Sequence, residues 1–124
     1  MGVWSKNTFL KFNSKQSDPE CSSFFFDESE QIIEVPVVTI DNELKERRIK
    51  KVDFIKMDVE GAEIEAVEGC KTTLKNNNVN LAIASYHILN GKKTCFELEK
   101  RLSELGYAAE TSYPEHLTTY AKKK

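Results

Sequence analysis

The chain has 124 residues, 40% hydrophobic and 31% charged, with a net charge of −2. That length suits one domain of the commonest size, and the composition sustains a core with a polar surface rather than disorder. The near-neutral balance excludes long-range attraction to a phosphate backbone, so no nucleic-acid partner is expected. No apolar run approaches the about 18–20 residues of a membrane helix, and the polar N-terminus does not read as a signal peptide.

In chain order, Thr8, Leu10 and Phe12 alternate with Phe9 and Lys11, which predicts a strand. Residues 13–23 hold Ser, Asp and Pro without a period and predict a loop. Ile32 to Ile40 is β-branched and reads as one strand or two short ones, with Pro36 marking an edge or a bulge. Asp41 or Asn42 then starts a short helix to about Arg48. The basic stretch Lys45 to Lys51 is interleaved with Glu46 and reads as a solvated face.

Beyond residue 51 strands and helices alternate. Val52 to Met57 predicts a strand, and residues 62–76 a helix with Ile64, Val67, Cys70 and Leu74 on one face. Leu81 to Ser85 is an uninterrupted apolar run of the kind covered on both sides. Residues 92–105 predict a second helix, with Gly106 as its C-cap. Tyr107 to Ser112 and Leu117 to Ala121 form a hairpin across Pro114, and Lys122 to Lys124 are expected to be a solvated basic tail. The order implies an α/β fold: a parallel sheet with helices, an antiparallel hairpin at its C-terminal side and extra N-terminal strands. Residues 1–121 are expected to form one domain.

The glycines and cysteines narrow the chemistry. Gly2, Gly61, Gly69, Gly91 and Gly106 allow no G-x-G, which excludes the dinucleotide fingerprint and the P-loop. Cys21, Cys70 and Cys95 form no C-x-x-C and read as reduced thiols of a cytoplasmic protein, Cys70 and Cys95 on buried helix faces.

Ligands of α/β sheets bind beyond the carboxyl ends of parallel strands. The first such end here is Lys56-Met57-Asp58-Val59-Glu60-Gly61-Ala62-Glu63. Asp58 and Glu60 there can orient a polar substrate, take a hydroxyl proton or hold a metal through oxygen. An acid before a helix also caps its free N–H groups, and Glu60 with Glu63 has capping-box spacing; capping is the first reading. The second end is Ser85-Tyr86-His87, where the imidazole serves either as base or orienter, or as a partner of a nearby backbone group. His116 reads as a surface turn residue.

The segments Val35-Pro36-Val37-Val38-Thr39-Ile40-Asp41 and Val52-Asp53-Phe54-Ile55-Lys56-Met57-Asp58-Val59-Glu60-Gly61-Ala62-Glu63 resemble the paired motifs of FkbM-type methyltransferases. Leu81-Ala82-Ile83-Ala84-Ser85-Tyr86-His87 and Pro114-Glu115-His116-Leu117-Thr118-Thr119-Tyr120 fit the same family. The resemblance implies a class I, Rossmann-like domain that uses S-adenosylmethionine, with a small-molecule or glycan hydroxyl as acceptor. It implies catalytic roles for Asp58, Glu60 and His87; no metal ligands and no cofactor-binding residues are assigned. It also implies that the Gly-rich first half of such a domain is missing, so that the chain corresponds to its C-terminal part. The alternative is a non-catalytic fragment or interaction module. Its strand 52–57 would then leave an open edge for a second copy or a partner chain, unless the N-terminal strands cover it.

Overall fold

The computed structural model describes residues 1–13 and 32–124; Cys21 and the loop expected over 13–23, Asn13 apart, lie outside the described residues. Strands β1 (Gly2–Val3), β2 (Thr8–Asn13) and β3 (Ile32–Val38) form a small sheet of order β1-β3-β2. β3 runs parallel to β1 and antiparallel to β2. Pro36 faces Phe9 of β2, whereas β1 reaches only Val37 and Val38. Among the described residues the proline, which has no N–H to give, therefore has a strand neighbour on one side only.

Helix α1 (Ile40–Glu46) starts earlier than its acids suggest. Its N-cap is Thr39, whose side chain accepts from the Asn42 amide at 3.0 Å. Asp41 caps a different helix. The span expected as one helix over 62–76 is two, α2 (Glu63–Glu68) and α3 (Lys71–Asn76). Asp41 accepts from the Thr72 and Thr73 amides at 2.8 Å each and from the Thr73 hydroxyl at 2.7 Å. These are donors that the start of a helix leaves without partners. The break itself falls at Gly69, where a Cβ would stand 2.1 Å from the Trp4 carbonyl oxygen. The Gly69 carbonyl accepts from the Asp41 amide at 3.0 Å. Tertiary contacts from the N-terminal segment thus interrupt a run whose apolar period is continuous.

After β4 (Phe54–Met57) and β5 (Asn80–Ala84) comes a hairpin that the sequence reading did not anticipate, β6 (Ile88–Leu89) and β7 (Lys92–Lys93). Asn90 (φ 51°) and Gly91 (φ 76°) both take the left-handed conformation that such two-residue turns require. The hairpin uses Lys92 and Lys93, so α4 (Thr94–Glu104) begins at Thr94 rather than at 92. β8 (Tyr107–Ser112) and β9 (Thr118–Lys123) close the chain as a second hairpin.

The main sheet has the order β4-β5-β9-β8; β4 and β5 are parallel and the remaining pairs antiparallel. Register places Ile55, Met57, Leu81, Ile83, Ala109, Thr119 and Ala121 on one face. That face packs into a core with Ala66, Val67, Leu74, Leu98 and Leu102 of the helices. Each fully buried leucine there contributes roughly 1.5–3 kcal/mol. The other face is different. Phe54, Lys56, Asn80, Ala108, Glu110, Tyr120 and Lys122 are all exposed. Only β5 approaches the two-sided cover expected of its apolar run, with Ala84 buried and Ala82 half-buried.

The expected basic tail is also corrected. β9 runs through Lys123, whose Nζ donates to the carbonyls of Leu74 (3.0 Å), Lys75 (2.6 Å) and Asn77 (3.3 Å). A cation on the last carbonyls of α3 satisfies acceptors the helix leaves open and suits its dipole.

Candidate active site

Met57 of β4 faces Ile83 of the parallel strand β5, so the segments that follow leave the sheet at the same end. Asp58 and Glu60 stand on the first, Tyr86 and His87 on the second. Between β4 and α2 the chain turns through two successive left-handed residues, Glu60 (φ 52°) and Gly61 (φ 94°). Glycine adopts that conformation freely; a glutamate there is held against a cost of about 1 kcal/mol or more.

The second segment is pinned from three sides. The Ser85 amide donates to Leu117 O at 2.9 Å, and the amides of Thr94 and Cys95 at the start of α4 donate to His87 O (2.8 Å) and Ser85 O (3.2 Å). Beneath it, Thr119 Oγ1 donates to Ser85 Oγ at 2.9 Å, and Thr111 and Thr119 share a hydroxyl contact of 2.8 Å.

This arrangement gathers the three residues singled out from the sequence. One ligand atom from each of Asp58, Glu60 and His87 lies within 4.8 Å of the others. Both acids are exposed, while the His87 side chain is only 14% exposed. Its Nε2 stands 3.4 Å from Glu60 Oε2, and its Nδ1 stands 3.1 Å from Glu63 Oε1. Both are within ion-pair reach, yet neither ring nitrogen is aligned for a hydrogen bond. The Tyr86 hydroxyl makes a long 3.4 Å hydrogen bond to Asp58, and its ring lies 4.2 Å from that of His87. Burial, then the charges of Asp58 and Glu60, raise the Tyr86 hydroxyl above the usual phenol range, which keeps it a donor. His116 sits in an exposed turn as expected, with its ring 4.4 Å from Tyr86 in an edge-on contact.

Capping, the first reading of the two acids, is not what they do. The N-cap of α2 is Ala62, with no side-chain cap. The carboxylate that organises the turn is Glu63, fully buried, which accepts from the Val59 amide at 3.0 Å and the Gly61 amide at 3.3 Å. Turning at Glu60-Gly61 points those amides at Glu63, and Asp58 and Glu60 stay on the surface. Glu63 is the residue the sequence reading missed as a site member. Its signal was the capping-box spacing from Glu60, assigned there to a helix cap.

Other candidate features lie elsewhere. Cys70 and Cys95 are free and buried, and burial, with the Asp41 charge, pushes the Cys70 thiol up to about 12, which makes it inert as a nucleophile. A shallow groove of about 820 Å³ runs past Phe54, Asn80, Ala108, Glu110, Tyr120 and Lys122, and none of Asp58, Glu60 and His87 lines it. No described helix is long and apolar enough to cross a membrane.

A family model described as the methyltransferase FkbM domain matches residues 1–109. No curated protein and no solved structure matches the chain. The matched span takes in both motif segments, the Asp58–Glu63 turn and His87, and on it the chain belongs to the FkbM methyltransferase domain family.

Proposed function

We propose that the chain carries the acceptor side of a methyl-transfer site that delivers a methyl group from S-adenosylmethionine to a hydroxyl of a small molecule or glycan. The observation that carries this reading is the meeting of Asp58, Glu60 and His87 at the ends of adjacent parallel strands, within 4.8 Å of one another. The donor set fits a hydroxyl: carboxylates and an imidazole accept its hydrogen bond and its proton, and the Tyr86 phenol adds a donor. It does not fit a cofactor grip. The left-handed glycines Gly61, Gly91 and Gly106 stand singly at separate turns and build no cradle for a ribose or an amino-acid tail. S-adenosylmethionine enters from the family alone.

The chain's own residues then do the following. Asp58 and Glu60 hold the acceptor hydroxyl at the surface of the turn, and the cluster takes its proton as the oxygen becomes a nucleophile. Glu63, buried behind, fixes the turn that carries the acids and stands against His87. The contribution of these residues to rate is to hold and orient the acceptor hydroxyl. The buried, reduced thiols of Cys70 and Cys95 support a cytoplasmic setting.

Titration of the chain with a panel of sugar and small-molecule alcohols, read by isothermal calorimetry, tests the proposal. Saturable binding of an alcohol that weakens about tenfold or more in Asp58→Asn supports it. Absence of binding by every alcohol, or binding that this variant leaves intact, rejects it.

A second reading, a module that binds a partner chain, rests on the open side of the sheet. Among the described residues β4 pairs only with β5, and Phe54 (60% exposed) and Tyr120 (44% exposed) lie on the uncovered face. The small N-terminal sheet pairs with neither. Light scattering distinguishes the two, since a strict monomer at high concentration argues against self-pairing through that edge.

A further inference from the structure

We propose that Asp58, Glu60 and His87 form a binding site for a divalent first-row metal ion, with Glu63 as the buried carboxylate that stands behind His87. The starting point is a charge imbalance. Three carboxylates, Asp58, Glu60 and Glu63, approach one imidazole, and no Lys or Arg pairs with any of them among the described ion pairs. A divalent ion bound there offsets two of those charges.

The second observation is independent of the surface acids. Glu63 is fully buried and its Oε2 has no hydrogen-bond partner, nor has either ring nitrogen of His87. A buried carboxylate oxygen without a partner is costly unless a positive charge lies close by, and Glu63 places such a carboxylate against His87. The same carboxylate reaches His87 Nδ1 with its Oε1 at 3.1 Å. A histidine that binds a metal through one nitrogen sets the other against a carboxylate or carbonyl, and here Nε2 is the nitrogen left facing Glu60 at 3.4 Å. Nε2 and the Glu60 carboxylate thus converge as two donor atoms that one cation can share.

The dimensions agree. Ligands at about 2.0–2.2 Å from a tetrahedral ion stand about 3.3–3.6 Å apart, the separation that His87 Nε2 and Glu60 Oε2 already have at 3.4 Å. The three ligand atoms lie within 4.8 Å of one another, so the widest pair closes by up to about 1.5 Å, which the exposed side chains of Asp58 and Glu60 make by rotation. One imidazole and two carboxylates form a mixed set that suits Mn²⁺ or Zn²⁺ better than Ca²⁺. A cation there would polarise the acceptor hydroxyl and lower its pKa. That consequence rests on the acceptor-site reading of the preceding section; metal binding itself does not.

The test is titration of the purified full chain with Mn²⁺, read by the electron paramagnetic resonance signal of the free ion. Mn²⁺ is chosen because it ignores thiols, so the cysteines do not compete. The expected result is one saturable site, with affinity reduced at least about tenfold in Asp58→Asn and in His87→Gln and unchanged in His116→Gln. Asp58 is exposed, so its variant keeps the proposal testable if His87→Gln fails to fold. No saturable binding to the wild-type chain, or binding that Asp58→Asn leaves intact, overturns the proposal. Absence of any saturable alcohol binding with Mn²⁺ binding intact would reject the acceptor-site reading and leave the metal site standing.

Discussion

Two aspartates stand just before or at helix starts in this chain, and they are used in opposite ways. Asp41 is enclosed by donors: two amides and a hydroxyl of Thr72 and Thr73 converge on its carboxylate. Burial pushes its carboxyl up, but the hydrogen bonds from Thr73 and Thr72 outweigh that effect and hold it below the usual carboxylate range. Asp58 lies exposed, with the long contact to Tyr86 as its recorded hydrogen bond. An aspartate that holds the fold is recognised by the donors gathered on it. One available for chemistry is held by the backbone beneath it, here through Glu63, and keeps its carboxylate at the surface.

The largest effect separating the two regions is expected beside Asp41. Gly69→Ala drives a Cβ into the Trp4 carbonyl, a backbone atom that cannot swing aside, and should destabilise by about 3 kcal/mol in urea unfolding. A change below 1 kcal/mol there would mean that the N-terminal segment gives way easily, and the break between α2 and α3 would need another cause.

Next comes Asp41→Ala, which strips the cap from α3 and leaves the Thr73 hydroxyl without its partner. A loss of about 2 kcal/mol in unfolding free energy is expected. Asp58→Asn should change stability by no more than about 0.5 kcal/mol, since it removes no buried contact. Equal losses in the two variants would break the comparison.

The smallest effect is a pH dependence. The folded pKa of Asp41 lies below its unfolded value, so its ionised form stabilises the fold above the unfolded pKa of about 3.9, and that contribution is lost as pH falls through the folded pKa. Because much of this carboxylate meets solvent, the size of the effect is modest. The gap in urea midpoint between wild type and Asp41→Asn should therefore be full at neutral pH and narrow in strong acid. A gap that widens on acidification would contradict the assignment.

Much of the frame was legible from short-range pattern. The apolar runs of β4 and β5, the stripe of α4 and the closing hairpin all follow from residues near in sequence. The meeting of Asp58, Glu60 and His87 was legible too, because acids and a histidine at strand ends point to the same edge of a parallel pair. What escaped depends on distant partners. The cut between α2 and α3 comes from Trp4 and Asp41, and no local period betrays it. Glu63 is a buried charge on an otherwise apolar helix face, and its role appears only once His87 is beside it. The β6–β7 hairpin is the exception, since Asn90-Gly91 is a local turn signal that the helical reading of 92–105 overrode.

The place of β9 in the sheet sets an order of assembly. β9 follows both β5 and β8 in the chain yet lies between them. While the polypeptide emerges, β5 and β8 have no neighbour to join them, and the gap at the middle of the sheet closes last. The anchors under His87 arrive with that late segment: the Ser85 amide waits for Leu117, and the Ser85 hydroxyl waits for Thr119. Until the C-terminal hairpin docks, the histidine end of the site is held by α4 alone, through Thr94 and Cys95, so a nascent chain that stops before residue 117 lacks the two anchors on Ser85.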